Sequence, residues 1–327
     1  MIEWWHRTRA QDLLQTHFGA LQLNFDYPLA NKSYFKLGGH AEVFYSATTR
    51  EQAIALLNFC QDQQIRFTIL GGASNVIIAD EGLSGLVLEL GCKEVTIISD
   101  TTTELQLQAE AGIKTSALVA KTTSRSATGL EGFIGVPGVL GGAIYNNAHY
   151  LGYLIGDYIT QVEVYDLDRR ELSIISRENC QFAYEQSIFQ TNKHLVILSA
   201  FFALKKGNPE EIKERVRQAI AKREREQPLS LPSCGCVFQN PSNNDHLREL
   251  FPQFAQSATI PAGFLIDQAG LKGSRVGDIQ VSEKHAAFFV NLGAGHAADV
   301  RSLVEQVKAA VVQKFGVMLK EEVFYLS

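Results

Sequence analysis

Residues 233–241 read Ser-Cys-Gly-Cys-Val-Phe-Gln-Asn-Pro and set two thiols, Cys234 and Cys236, one residue apart. That spacing is open to four chemistries: a metal clip, a disulfide, a reactive thiol pair, or one working cysteine beside a bystander. Zinc clips favour Cys-x2-Cys with a second ligand pair, and this Cys-x-Cys stands alone, so no metal is expected. The five cysteines, with Cys60, Cys92 and Cys180 scattered upstream, are odd in number and follow no export signal. A disulfide framework is not expected.

Two glycine-rich stretches could handle an anion. Leu70, Gly71, Gly72, Ala73, Ser74 and Asn75 lie between two apolar runs, where glycines let backbone N–H groups approach a ligand and Ser74 and Asn75 add polar groups. Gly135, Val136, Pro137, Gly138, Gly141, Gly142, Ala143 and Asn147 fall within Gly-Val-Pro-Gly-Val-Leu-Gly-Gly-Ala-Ile-Tyr-Asn-Asn-Ala, a second nest able to cradle a pyrophosphate. Neither has the Gly-x-Gly-x-x-Gly spacing of a Rossmann turn, and no Gly-x4-Gly-Lys-Ser/Thr loop is present. One glycine turn alone is most simply a tight bend; two such loops in neighbouring α/β units point to a dinucleotide held outside the Rossmann plan.

The chain of 327 residues has room for roughly two domains. Its 46% hydrophobic and 20% charged content is that of a globular protein. A formal net charge of -5 argues against broad nucleic-acid binding but leaves an anionic small molecule open, since one pocket needs few cations. The opening residues contain no apolar stretch of signal-peptide length, and no later run reaches the roughly 18 residues that span a bilayer. A cytoplasmic protein without membrane insertion is expected.

These motifs need positioning elements. Residues 1–30 read as a helical preface, with Leu13, Leu14, Phe18 and Leu21 at helical spacing. Residues 31–93 alternate strand, helix, strand and glycine loop, with a capping box expected between Thr48 and Glu51. Residues 94–205 are rich in strands, include a hairpin over 160–175, and close on the apolar run Leu195–Leu204. Residues 206–327 open on a charged helix capped by Asn208, with Ile212, Val216, Ala219 and Ile220 as its apolar face. They end in a helix from about Ala298 to Phe315, stopped by Gly316, and a last strand.

Seven blocks now carry a resemblance: NKSYFKLGG, LGGASNVIIAD, GLEGFIGVPGVLGGAIYNNA, AYEQSIF, REQPLSLPSCGCVFQNP, LIDQAGLKGSRVGDIQVSEKHAAFFVN and FGVMLKEEV. In this order they resemble the UDP-N-acetylenolpyruvoylglucosamine reductases, the MurB flavoenzymes of peptidoglycan precursor synthesis, in the branch without the extra third-domain loop. The resemblance implies an α/β (α+β) FAD-binding fold of the vanillyl-alcohol oxidase (PCMH) type in two subdomains, 31–93 and 94–205. A C-terminal α+β substrate domain, 206–327, completes it. It implies FAD as cofactor, held by the two glycine loops, NADPH as hydride donor, and a UDP-sugar substrate. A monomer or weak homo-oligomer is expected.

The family reduces an enolpyruvyl ether to UDP-N-acetylmuramate. Hydride arriving at the terminal vinyl carbon builds enolate-like charge on the next carbon and its carboxylate, so an acid must protonate that carbon. The family's donor is usually the serine of Gly-Ser-x-Phe; Cys236 stands there, and a thiol is the stronger acid, ordinarily near pKa ~8.5. Glu322 matches the family's C-terminal acidic residue, with Glu321 as the solvent-facing alternative one register away. Tyr184, Arg223, Gln239, Asn240 and Lys272 are the implied substrate contacts, and His285 reads as a structural, hydrogen-bonded histidine.

The chain departs from the family at Glu185, where Tyr-Arg-x-Ser is usual and Tyr184-Glu185-Gln186-Ser187 is found. A carboxylate in place of a guanidinium reverses the local field. Lys36, Arg223, Arg225 and Arg275 are candidates to supply the lost charge. His40, Ala73 and His149 are smaller departures, from a usual proline, a usual glycine and a common glycine. The alternatives are a flavin-binding homologue with reduced or lost turnover, or another FAD-dependent oxidase of the same fold.

Overall fold

The computed structural model describes residues 8–327. Packing divides the chain into two compact units. The first gathers the described residues up to Tyr27, Ala41–Gly72 and Ser84–Arg223; the second gathers Pro28–His40, Ala73–Leu83 and Glu224–Ser327. The units therefore do not follow the linear division drawn from composition. Most of the charged helix Pro209–Glu226 belongs with the first unit, and two early stretches belong with the C-terminal residues.

In the first unit the preface is a helix only over Arg9–Phe18, started by a capping box between Thr8 and Gln11, and its Leu14 is fully buried. Asn24–Pro28 is then a strand, which the helical reading of residues 1–30 missed; residues 1–7 of that reading lie outside the described chain. This strand edges a four-stranded sheet in the order Asn24–Pro28, His40–Ala47, Leu83–Leu90, Phe67–Leu70. Leu56, Leu57 and Cys60 of helix Arg50–Asp62 pack in the same core as Val43, Leu86 and Leu88 of this sheet. The helix starts one residue later than its expected box. Thr49, in extended conformation, accepts the Gln52 amide, and the Gln52 side chain, not that of Glu51, receives the Thr48 amide at 3.0 Å.

A five-stranded antiparallel sheet follows, ordered Glu171–Ser176, Ile159–Asp166, Leu195–Lys205, Glu104–Glu110, Val95–Asp100. The expected hairpin is present, and the Asp166 carboxylate closes its turn by accepting the Asp168 and Arg169 amides at 2.9 and 3.1 Å. On helix Pro209–Glu226, Asn208 accepts the Glu210 amide at 2.9 Å, as a cap should. Its buried face is Ile212, Ala219 and Arg223, whereas Ile220 is 39% exposed, so the expected apolar stripe is rotated and ends on a guanidinium.

The second unit is built on a sheet ordered Ser233–Cys236, Phe288–Asn291, Ile279–Val281, Arg275–Val276 and on helix Ala297–Phe315, which ends at left-handed Gly316. The early stretches join because they bring apolar groups to its core: Phe35, Leu37 and Ile77 pack among Phe238, Phe289 and Val307. The last strand, Phe324–Leu326, pairs in parallel with Val76–Ile78. No helix among the described residues is long and apolar enough to cross a membrane.

Asp80 ties the early segment to the long helix. Its carboxylate accepts the Ala297 and Ala298 amides at 2.9 and 3.1 Å, covering the positive end of Ala297–Phe315. Asp80→Ala should cost about 1–2 kcal/mol in urea denaturation, and Asp80→Asn, which keeps an acceptor oxygen, should cost less. No change in either variant would show that the helix end is satisfied some other way.

Candidate functional site

Strand Ser233–Cys236 presents the two thiols differently because its pairing with Phe288–Asn291 is interrupted by a register shift between Ser233 and Cys236. Gly235 sits in the shift at φ +85°, a conformation a larger residue adopts only with strain. Cys234 consequently turns into the core, where burial pushes its thiol up to about 12, with nearby Glu322 adding to the shift. Among the described residues, Cys236 is the only cysteine that is not buried. Both cysteines are free thiols, Cys234 buried and Cys236 half-buried. Burial likewise pushes Cys60 and Cys180 up to about 12 and raises Cys92.

The C-terminal segment lies against this strand. Val237 donates to the Ala287 carbonyl at 2.8 Å and accepts the Glu322 amide at 2.8 Å, and the Gln239 amide reaches the Lys320 carbonyl at 2.9 Å. Glu322 is thus hydrogen-bonded through its backbone to the residue after Cys236. Glu321 is not the solvent-facing residue expected: its side chain is 22% exposed and pairs with Lys308. The phenol of Tyr325 is raised by burial first and by Glu321 second. Asn75, at the end of the first glycine loop, also meets this segment; its side-chain amide donates to the Glu322 carbonyl at 3.3 Å and its own carbonyl accepts the Phe324 amide at 3.1 Å.

In the first unit the two glycine loops touch. A Cβ on Gly72 would stand 2.5 Å from the Gly138 Cα, so only glycine permits the approach. The second loop is fixed from behind, with Leu140 and Gly141 donating to the Ile113 and Ala111 carbonyls at 2.9 and 2.8 Å and the Gly138 carbonyl accepting from Thr115 at 3.2 Å. Gly135 and Gly142 are exposed, and a Cβ at Gly142 would meet nothing within 4 Å. Backbone that is bare, close-packed behind and open in front fits a pyrophosphate. Ala73, in place of a usual glycine, holds φ +50° and its carbonyl accepts the Tyr34 amide at 3.1 Å. Leu70 and Ala143 are buried beside the loops, and Val136 and Pro137 are half-buried. Asn147 is buried with both side-chain ends engaged, donating to the Ala183 carbonyl at 2.7 Å and accepting from Gly156 at 3.0 Å.

The remaining expected residues divide by what they already hold. Asn240 accepts the Ala262 amide at 2.9 Å at the start of helix Ala262–Gln268, and Lys272 pairs with Asp267 at 2.8 Å. His285 Nδ1 accepts the Ala287 amide at 3.3 Å, a structural use. Tyr184 is 41% exposed. Among the four cations offered against Glu185, Lys36 donates to the Asn31 carbonyl at 3.2 Å, Arg225 pairs with Glu226 at 2.7 Å, and Arg275 pairs with Asp278. Arg223 differs. Its guanidinium lies 5.1 Å from the centre of the Tyr150 ring, and its Nε is 3.4 Å from where a side chain at Gly135 would begin. The sequence reading had no signal for the most unusual contact, Glu185 beside His149 at 3.7 Å, because neither residue belongs to a family motif in this form.

Gly142→Ala should leave the melting of the FAD-free protein within about 0.5 kcal/mol of wild type, since the methyl enters open space on a helix, yet lower the FAD retained on purification. Gly72→Ala should lower both. Full FAD retention by both variants would mean that these loops do not hold the cofactor.

Residues 227–326 match the family model described as UDP-N-acetylenolpyruvoylglucosamine reductase, C-terminal domain, and residues 41–171 match that described as FAD binding domain. The Bacillus cereus protein named UDP-N-acetylenolpyruvoylglucosamine reductase 2 is 38% identical over 298 residues, 91% of this chain and 90% of its own. A reductase of the same name from Caldanaerobacter subterraneus is 35% identical over 305 residues, 93% of each chain. The crystal structure of the Thermus caldophilus reductase (MurB) superposes with a TM-score of 0.74 at 27% identity, covering 94% of this chain and 99% of that one. The expected FAD-binding fold with a C-terminal reductase domain is borne out, and the chain belongs to the UDP-N-acetylenolpyruvoylglucosamine reductase (MurB) family.

Proposed function

We propose that this chain, an FAD-dependent oxidoreductase, reduces UDP-N-acetylglucosamine enolpyruvate to UDP-N-acetylmuramate at the expense of NADPH, with Cys236 as the proton donor. The observation that carries the assignment is the bulged end of Ser233–Cys236, which leaves a single accessible thiol next to the backbone bonds that hold Glu322. FAD, when bound, would supply the hydride chemistry that links NADPH to the terminal vinyl carbon. Gly71, Gly72, Gly138 and Gly142 are the residues that would hold its pyrophosphate.

The work left to the protein is electrostatic and protic. As negative charge builds on the carbon next to the carboxylate, the Cys236 thiol gives that carbon its proton, and the resulting thiolate is reprotonated from solvent. A carboxyl at Glu322 serves the enol when it donates a hydrogen bond to the developing oxyanion. Tyr184, Gln239 and the Asn240 amide are polar groups for the sugar nucleotide, and Arg223 offers a cation beside the second glycine loop. Lys272 must leave or share Asp267 to take part. A cytoplasmic, monomeric or weakly self-associating enzyme of peptidoglycan precursor synthesis completes the reading.

A second reading, a flavin-binding homologue with lost turnover, is favoured by one observation: the Glu185 carboxylate is buried where the family carries arginine. The two readings part on NADPH consumption. Addition of UDP-N-acetylglucosamine enolpyruvate should accelerate it in wild type. Cys236→Ser should stay within about tenfold of wild type and Cys236→Ala should lose about 10²–10⁴-fold, while its FAD is still reduced by NADPH. NADPH consumption that ignores the substrate would reject the reductase reading, and loss of both half-reactions in Cys236→Ala would reject the role of the thiol.

A further inference from the structure

Two departures from the family pattern, far apart in sequence, meet in the first unit. Glu185 occupies a turn fixed on every side: Ala183 and Gln186 exchange backbone bonds at 3.1 Å, the Gln190 side chain donates to the Glu185 carbonyl at 2.9 Å, and Asn147 holds Ala183. The turn places Glu185 at φ +53° and buries its side chain to 1% exposure. Neither carboxylate oxygen has a hydrogen-bond partner. A buried carboxylate without donors is costly, so such a group is kept where something else answers its charge.

His149 is that group. It lies on the short strand His149–Tyr150, with Nδ1 3.7 Å from Glu185 Oε1, an ion-pair distance longer than a hydrogen bond. Its ring sits 4.7 Å from that of Tyr184, the exposed residue preceding Glu185. Burial pulls the imidazole below its ordinary value, and Glu185 is the charge that acts against this. The other titratable groups around the pair are otherwise engaged. Tyr150 carries the Arg223 guanidinium on its ring and faces Tyr153 across the strand pair. Lys193 lies on Tyr145, whose carbonyl accepts from Ser187 and Gln190, and Arg177 is paired with Asp157.

Charge counting shows what the pair can do. With a neutral imidazole and an ionised carboxylate its charge is negative; one added proton makes it neutral and removes the repulsion of an incoming carboxylate. The family's guanidinium is positive at all working pH values and needs no proton. We propose that Glu185 and His149 form a proton-loading pair in place of that arginine, so that the anionic substrate or product binds together with a proton. The inference rests on the reductase reading, which supplies the anion.

By linkage, a ligand that favours the protonated pair raises its proton affinity. Binding should therefore weaken as pH rises through the value of His149 in the free protein, by up to about tenfold per unit. The test is calorimetric titration of the FAD-loaded protein with UDP-N-acetylmuramate, which is not consumed, at about pH 7.5, above the ordinary histidine range. Running it in two buffers of different ionisation enthalpy counts the protons taken up.

Wild type should take up a large fraction of one proton, His149→Asn close to none, and Glu185→Gln less than half the wild-type number. The double variant His149→Gly, Glu185→Arg restores the fixed cation and should bind with no uptake and a flat pH profile, which decides the matter should a single variant fail to fold. Equal uptake in wild type and His149→Asn, no uptake in wild type, or uptake persisting in the double variant would overturn the proposal while leaving the reductase reading intact. Failure of wild type to bind the product would overturn both.

Discussion

The hydrogen bond from the Glu322 amide to the Val237 carbonyl is the contact on which the proposed placement of Glu322 beside Cys236 depends. It belongs to a short lacing in which residues 320–322 pair with 237–239 and Asn75 bonds Glu322 and Phe324. Three stretches distant in sequence therefore converge: the end of a glycine loop, the strand bearing the accessible thiol, and the C-terminal strand. Each backbone bond adds only about 1 kcal/mol net, but together they fix the segment around the proposed acid as a strand ladder would. Rigid elements placed this way are what proton delivery requires, because a donor misplaced by an ångström loses much of its effect.

Two buried glutamates in the first unit show how the protein separates holding from working. Glu131 is fully buried and satisfied: it accepts from Thr128, the Gly129 amide and Arg215. These bonds outweigh burial and hold its carboxyl below the usual range. They also fasten helix Pro209–Glu226, and with it Arg223, to the loop before the second glycine stretch. Glu185 is equally hidden but has no donor at all. A carboxylate with full hydrogen bonding is architecture; Glu185, held without a hydrogen-bond donor, has only the charge of His149 to face.

Much of this was legible in the residues. The glycine stretches and the order of strands in the hairpin follow from local pattern, because turn geometry and period-two alternation are short-range, whereas Cys236 was singled out only by the family resemblance. What escaped is long-range. Nothing in Phe35 or Ile77 says that they complete a core shared with Phe289, and the split of early residues between two units follows from that packing. Glu321 and Glu322 are indistinguishable as letters, and nothing in them says that the Glu321 side chain pairs with Lys308. Glu185 read alone is a defect in a motif and His149 read alone is a neutral variation, and only their proximity makes them one device.

The central claim is that the proton reaching the substrate carbon comes from Cys236. It is tested most directly by reducing the FAD-loaded protein, removing NADPH, and following reoxidation by the enolpyruvyl substrate in H2O and D2O. The account predicts a slower reaction in D2O for wild type and Cys236→Ser, with deuterium at the carbon bearing the carboxylate, and a much slower reaction for Cys236→Ala. Reoxidation of Cys236→Ala at the wild-type rate and with the wild-type isotope effect would contradict it.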